Sequence, residues 1–140
     1  MIFAINCARA SLLCDEVPVG AVVTRRGRII ASNHNLVKTS ADPTAHAEIL
    51  VIRAASQVLG TPYLDDCDIH VTLEPCPMCA AAIALARIKC LYFGAYDPKG
   101  GGVDHGAEIF RYSLHKPTVV GGVNEQECSN ILIDFFKTKR

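Results

Sequence analysis

The sequence of 140 residues has no net charge, no long apolar segment and no internal repeat. Its 14 basic and 14 acidic side chains balance, so the overall charge gives no support for nucleic-acid binding, and any RNA contact has to come from a local patch. Charged residues interrupt every apolar run before it reaches the roughly 20 residues that a membrane-spanning helix needs. The first ten residues also lack the basic n-region of a secretory signal. These absences argue against a membrane or secreted protein and predict a cytoplasmic one.

The seven cysteines show no spacing typical of a disulfide framework, and their number is odd. Half of the residues are apolar, which suffices to bury a core without disulfide bonds. We therefore expect reduced thiols, some of which could hold a metal ion. Because no linker-like or low-complexity stretch interrupts the chain, residues 1–140 are predicted to form a single domain.

Hydrophobic periodicity predicts strands and helices that alternate along most of the chain. The predicted strands cover residues 19–24, 28–32, 69–73, 90–95 and 118–120. The predicted helices cover residues 2–13, 43–59, 77–87, 107–112 and 125–140. The first two strands form a hairpin with Gly27 at its turn. Strands that alternate with helices after an initial hairpin imply an α/β protein with a mixed sheet covered on both faces.

Residue types at the helix ends add detail to these predictions. Asp42 is expected to cap the second helix, with Pro43 at the first helical position and Gly60 closing it. The helix that begins at Pro77 carries alanine, isoleucine or leucine on almost every side, a pattern typical of a fully buried element. Asn124 is expected to cap the last helix, whose buried stripe would comprise Cys128, Ile131, Leu132, Phe135 and Phe136.

Two short segments carry the residue types of a metal site: H-A-E at residues 46–48 and P-C-P-M-C at residues 75–79. Cysteines three positions apart at a helix N-terminus point their sulfur atoms toward one spot, where the helix macrodipole favours the thiolate. His46 would supply a third ligand if the starts of the two helices face each other. Together with Cys76 and Cys79 it would then bind one ion, for which zinc is the best candidate.

Three protein ligands leave the fourth position of a tetrahedral zinc ion open for water, which favours a catalytic over a structural site. Zinc lowers the pKa of bound water to roughly 7. Glu48 lies two residues beyond His46 and is expected to reach across the mouth of the site toward this water. A carboxylate there can take the proton of the water and pass it to a ring nitrogen and a leaving amine. Either motif alone would often be structural or redox-active, whereas the combination favours metal-dependent catalysis.

The order of H-x-E and P-C-x-x-C resembles the signature of the zinc-dependent nucleobase deaminases. More of the chain is similar to the bacterial tRNA-specific adenosine deaminase family, which belongs to the cytidine/deoxycytidylate deaminases. The matching runs lie at residues 16–21, 42–48, 71–76 and 134–136, together with Gly94, Ala95, Asp97 and Lys99. The resemblance covers nearly the whole chain.

The resemblance implies a three-layer α/β/α fold of the cytidine-deaminase type, with a mixed five-stranded sheet and helices on both faces. It implies a homodimer that hydrolytically deaminates adenosine to inosine at the wobble position of a tRNA anticodon. One zinc ion per chain would be held by His46, Cys76 and Cys79. Glu48 would shuttle the protons, and Asn35 would hydrogen-bond the flipped base. Asp97 and Lys99 would line the loop that touches the anticodon.

Alternative functions remain open at this point. Both motifs also occur in guanine-deaminase-like proteins, so the chain could act on a free base or nucleoside such as guanine or cytosine. A non-catalytic zinc-binding module that recognises RNA is disfavoured by the open fourth position and the nearby carboxylate. The basic cluster at residues 25–28 is interpreted as a solvated hairpin tip rather than as an RNA patch. Glu74, at a strand end, is predicted to anchor neighbouring backbone N–H groups.

Overall fold

A mixed five-stranded sheet forms the middle layer of the protein, whose computed structural model describes residues 1–140. Its strands follow the order β2-β1-β3-β4-β5 across the sheet. The central strand β3 is antiparallel to β1 and parallel to β4, and β4 is parallel to β5. The prediction of a mixed five-stranded sheet is therefore confirmed. The strands are β1 (Gly20–Arg25), β2 (Arg28–His34), β3 (Cys67–Leu73), β4 (Cys90–Ala95) and β5 (Thr118–Val120).

Helices cover both faces of the sheet, as the three-layer prediction requires. On one face α1 (Ile2–Ser11) packs beside α5 (Glu125–Lys137), and on the other α3 (Ala47–Leu59) packs beside α4 (Pro77–Leu85). A short helix, α2 (Val37–Ser40), links β2 to the segment before α3. None of the helices combines the length and the apolar character that crossing a bilayer would require.

The two layers of helices contact alternate residues of the strands, because successive side chains of a strand point to opposite faces. In β1, Gly20 faces α1, and a Cβ there would lie 2.1 Å from the carbonyl oxygen of Ala4. Val23 and Ala21 face the other way, into the main core beneath α3 and α4. Each large apolar side chain fully buried in that core contributes about 1.5–3 kcal/mol to stability. Four large members from the central strands are Ile69, Val71, Leu91 and Phe93.

The hairpin turn between β1 and β2 consists of Arg26 and Gly27, both with positive φ (51° and 76°). Two left-handed residues in succession match the twist of the flanking strands, and glycine adopts this conformation without strain. Arg26 and Arg28 are exposed, while the Arg25 Nε donates to Asp66 Oδ2 at 2.7 Å. The predicted hairpin is confirmed.

The prediction that Asp42 caps a helix was wrong, because α3 begins five residues later, at Ala47. The Asp42 Oδ1 accepts hydrogen bonds from the backbone N–H and the hydroxyl of Thr44, at 2.9 and 2.7 Å. This is an Asx turn, a local structure that uses the same donors and acceptors as a helix cap. At the other end of α3, Gly60 adopts φ 66°, as the closing glycine was expected to do.

Predictions for three further helices needed correction. The α4 helix ends at Leu85, whose side chain is 78% exposed, so this helix is not buried on all sides. Asn124 precedes α5 in a left-handed conformation and makes no side-chain cap, and Phe136 of the predicted buried stripe is 46% exposed. The helix predicted at residues 107–112 is only a 3₁₀ turn, Ile109–Arg111.

Candidate active site

The N-termini of α3 and α4 bring His46, Cys76 and Cys79 together. His46 and Cys76 are the last extended residues before their helices, with ψ of 151° and 169°, and Cys79 follows in the first turn of α4. The His46 Nδ1 lies 3.6 Å from the Cys76 Sγ and 3.5 Å from the Cys79 Sγ. The ligand atoms of the three residues all lie within 4.8 Å of one another, which is close enough for a single metal ion.

The environment of the two thiols favours a negative charge on Cys76. Hydrogen bonds from Cys79 and His46 lower the pKa of the Cys76 thiol to about 4, against the opposing effect of burial. The same hydrogen bond raises the pKa of Cys79, which is also fully buried. A thiolate at a helix N-terminus is stabilised further by the macrodipole and is the form of cysteine that binds metal.

Glu48 lies in the first turn of α3 with only 4% of its surface exposed. Its Oε2 is buried and has no hydrogen-bond partner within the protein. Desolvation raises the pKa of this carboxyl to about 7. A buried carboxylate oxygen without a partner costs free energy, on the order of 1–3 kcal/mol or more for a charged group. Such an atom is a candidate for contact with a ligand or a reacting group.

A cavity of about 400 Å³ opens over these residues. This volume falls in the range of small-molecule sites and suffices for a single heterocyclic base. Five of the predicted site residues line it, whereas Cys79 is buried outside the lining and Lys99 is exposed outside it. The five are Asn35, His46, Glu48, Cys76 and Asp97.

The orientation of Asn35 is fixed by Glu16, a residue to which the sequence pattern assigned no role. The Asn35 Nδ2 donates to the Glu16 Oε2 at 3.1 Å, and the Glu16 Oε1 accepts from the backbone N–H and hydroxyl of Thr39 at 2.7 and 2.9 Å. Burial raises the pKa of Glu16, but the hydrogen bonds from Thr39, together with the backbone N–H and the charge of Lys38, hold it below its usual value. Because an ionised carboxylate only accepts hydrogen bonds, the amide nitrogen of Asn35 must face Glu16. The Asn35 side chain is therefore held in one orientation at the cavity wall.

Asp97 and Lys99 lie in the loop that follows β4, and the structure separates their roles. The Asp97 Oδ1 accepts from the backbone N–H groups of Lys99 and Gly100, at 3.2 and 2.9 Å, and shapes the loop. The Lys99 side chain is exposed and makes no ion pair. Glu74, as predicted, accepts from backbone N–H groups, among them that of Asp97 at 3.0 Å.

Comparison with known proteins places the chain among deaminases. The family model for MafB19-like deaminases matches residues 2–140. The tRNA-specific adenosine deaminase of Agrobacterium fabrum is 50% identical over 95% of this chain and 89% of its own length. That of Bacillus subtilis is 46% identical over 98% of this chain and 86% of its own.

A solved structure from a study of A-to-I editing by tRNA:A34 deaminases, at the wobble position of transfer RNA, superimposes with a TM-score of 0.92. It is 49% identical and covers 94% of this chain and 97% of its own. These findings confirm both the resemblance inferred from the two motifs and the cytidine-deaminase-like fold. The chain therefore belongs to the family of MafB19-like deaminases, together with the tRNA-specific adenosine deaminases that it matches along almost its whole length.

Proposed function

We propose that this protein hydrolytically deaminates adenosine to inosine at the wobble position of a tRNA anticodon. The observation that carries the proposal is the His46–Cys76–Cys79 cluster beside the unpartnered Oε2 of Glu48, at a cavity large enough for one base. The similarity to two tRNA-specific adenosine deaminases supports the choice of substrate. These two relatives, which match the chain along almost its whole length, do not favour the alternative of a free-base deaminase.

The donor set of the cluster fits one zinc ion per chain. The cluster offers one imidazole nitrogen and two sulfur atoms, one of which is held as a thiolate. Such ligands favour zinc, whereas magnesium and calcium favour oxygen ligands. His46, Cys76 and Cys79 form the only group of three or more such side chains in the protein that is close enough to hold a metal. Zinc held there would supply the Lewis acidity that activates water at neutral pH.

Glu48 would transfer the protons of the reaction. The carboxylate accepts a proton from the attacking water and delivers it to N1 of the adenine ring. After the water oxygen has added to C6, the carboxylate takes the second proton from the new C6 hydroxyl and delivers it to the exocyclic amine. The bond between C6 and nitrogen then breaks, ammonia leaves, and a carbonyl forms at C6. The buried and unpartnered Oε2, on the wall of the same cavity, is placed to exchange protons with a bound base rather than with bulk water.

The remaining predicted contacts would read and hold the RNA. Asn35, whose amide is oriented by Glu16, would hydrogen-bond the base inside the cavity. Asp97 on the cavity wall and the exposed Lys99 outside the cavity would contact the anticodon loop. Proteins that read RNA sequence generally take unpaired loop bases and splay them into pockets, which suits a cavity for one base.

The substrate is tested by incubating the zinc-loaded protein with a tRNA bearing wobble adenosine and measuring inosine by nucleoside analysis.

We further propose that residues 1–140 act as one deaminase domain, in the cytoplasm and as a homodimer. The match of the family model from residue 2 to residue 140 supports the single domain. Val58 of α3 and Leu85 of α4, on the two helices that begin at the site, are 65% and 78% exposed. Exposed apolar side chains on two adjacent helices support the proposal that a second copy of the chain covers them. The proposed tRNA substrate supports a location in the cytoplasm.

Replacing Lys99 with alanine should weaken the reaction on an anticodon stem-loop and reduce its salt dependence. The slope of log(kcat/KM) against log[salt] is negative. Loss of one phosphate contact should make it less negative by about 0.7 for single-stranded RNA. Lys89 is an equally exposed lysine next to the start of β4, at the opposite end of the sheet, and Lys89→Ala is the matched control. A slope for Lys99→Ala equal to that of the control would remove Lys99 from the RNA surface.

A further inference from the structure

The carboxylate of Glu74 organises the whole loop that forms one wall of the cavity. We call residues 97–105 the pocket loop. Glu74 directly follows β3, is 2% exposed, and lies inside this loop. Its Oε2 accepts from the Asp97 N–H at 3.0 Å, and its Oε1 accepts from the N–H groups of Val103, Asp104 and His105 at 3.3, 2.9 and 3.0 Å.

A side chain completes this ring of donors. The Nδ1 of His105 lies 2.8 Å from the Glu74 Oε2, and because the carboxylate accepts, this nitrogen carries the hydrogen. One buried carboxylate thus receives five hydrogen bonds from both ends of a nine-residue loop. Hydrogen bonds to a charged acceptor are roughly twice as strong as neutral ones, so this single side chain holds the two ends of the loop together.

Two glycines allow the pocket loop to close around the carboxylate. A Cβ at Gly101 would lie 2.5 Å from the Cδ of Glu74, and a Cβ at Gly102 would lie 2.5 Å from the backbone nitrogen of Pro77. Real Cβ atoms do not approach so closely, so any larger residue at either position would push the loop away. The backbone N–H of Gly102 also donates to the carbonyl of Pro75 at 2.8 Å. The loop is therefore joined to the segment that carries Cys76.

The pocket loop lines the same cavity as Glu48 and Asn35. Asp97 and Gly100 line the cavity, together with Glu74 itself. We propose that Glu74, supported by His105, is a positioning residue that holds the pocket loop at the place where the RNA substrate binds. This inference rests on the proposed function for the identity of the substrate. The loop contributes no group to the proton transfers, so its displacement should weaken binding and spare chemistry.

The variant Glu74→Gln tests the inference. One oxygen of the carboxylate is then replaced by an NH₂ group, which cannot accept the hydrogen bonds that the backbone N–H groups of the loop donate. With an anticodon stem-loop as substrate, KM should rise at least about 10-fold, because the loop no longer lies where the RNA binds; a tenfold rise corresponds to about 1.4 kcal/mol of lost binding free energy. The kcat should stay within about threefold of the parent, and the metal content should not change. A rise in KM without a fall in kcat is the signature of lost binding that is uniform between ground and transition states.

Gly101→Ala approaches the same contact from the loop and remains informative if Glu74→Gln folds poorly. It should give the same rise in KM with the carboxylate intact. Ile88→Val removes one methylene from a fully buried core residue away from the loop, and serves as the control for a general loss of stability. Its KM should equal that of the parent. Three results would overturn the inference. They are a fall in kcat at unchanged KM, an unaltered KM in both loop variants, and loss of metal from the loop variants.

Amide hydrogen exchange separates this inference from the proposed function. The N–H groups of residues 97 and 103–105 should be protected in the parent protein without RNA, and should exchange at least about tenfold faster in Glu74→Gln. Equal exchange in the two proteins would overturn the role of Glu74, whatever the substrate. A parent protein that shows this protection but no activity on the stem-loop would contradict only the proposed function.

Discussion

Replacing Glu48 with glutamine should lower kcat at least about 10⁴-fold, while fold and metal content stay unchanged. Glutamine has nearly the same shape as glutamate but cannot carry a proton. General acid–base groups typically contribute 10²–10⁴-fold, and Glu48 would serve more than one proton transfer, so the upper end applies. The expected loss corresponds to about 5.5 kcal/mol of transition-state stabilisation. Single-turnover rates on an anticodon stem-loop measure it directly.

The structure makes this variant well controlled. The Glu48 Oε2 has no hydrogen-bond partner in the protein, so the amide breaks no bond made by that atom. Glu108→Gln, at an exposed residue on the loop that follows β4, changes the net charge by the same amount outside the cavity and should leave kcat at the parental value. A Glu48→Gln protein that keeps more than a tenth of the parental turnover would show that Glu48 is not the proton carrier.

Replacing His46, Cys76 or Cys79 should remove the metal and, with it, the activity. The parent should contain about one zinc ion per chain. Each single variant, His46→Ala, Cys76→Ser or Cys79→Ser, leaves only two ligands within the 4.8 Å cluster. We expect zinc affinity to fall more than about 100-fold, because even partners outside the ligand shell typically contribute 10–100-fold. Elemental analysis after dialysis against a weak chelator gives the occupancy.

The other cysteines provide matched controls for the metal experiment. Cys14 is exposed and Cys90 is half-buried, and neither belongs to a cluster that could hold a metal. Cys14→Ser and Cys90→Ser should therefore bind as much zinc as the parent, and so should serine variants of the buried Cys67 and Cys128. Loss of metal from any of these four proteins would mean that the ligands have been assigned wrongly.

The centre of the site could be predicted from sequence because each of its two parts lies at the start of a helix, although that the two helix starts meet had to be assumed. Cys76 and Cys79 converge through the pitch of a single helix, and His46 directly precedes the helix that packs beside it. Three features of the sequence indicate that a helix begins at Pro77 and that another ends at Gly60. They are the proline and cysteine spacing, the buried strand before that spacing, and the glycine that ends α3. The mixed sheet with helices on both faces followed from the hairpin and from the alternation of strands and helices, whereas the order of the strands was not predicted.

The start of α3 could not be predicted from sequence, because a turn and a helix cap use the same residues. Asp42, Pro43 and Thr44 are typical of both, and the Asx turn observed here satisfies the donors that a cap would satisfy. The error placed His46 inside the helix, whereas it is the residue before it. That difference points the imidazole out of the helix toward the two thiols.

Long-range hydrogen bonds also left no local signal. Glu16 orients Asn35 from 19 residues away, and Glu74 receives donors about 30 residues further along the chain. The sequence predicted that Glu74 would bind backbone N–H groups, because it ends a strand, but not which loop would supply them. The exposure of Leu85 was missed for a related reason. Apolar residues on every side of a helix indicate that the helix is buried. They do not indicate whether its own chain or another chain covers it.

The choice between a tRNA substrate and a free base is tested most directly by comparing deamination rates side by side. The zinc-loaded protein is incubated with an anticodon stem-loop bearing wobble adenosine, and separately with free guanine, adenosine and cytidine. We expect inosine in the stem-loop and essentially no product from the free compounds, because these lack the loop contacts whose binding energy positions the base. A rate on free guanine equal to or above the rate on the stem-loop would contradict the proposed function.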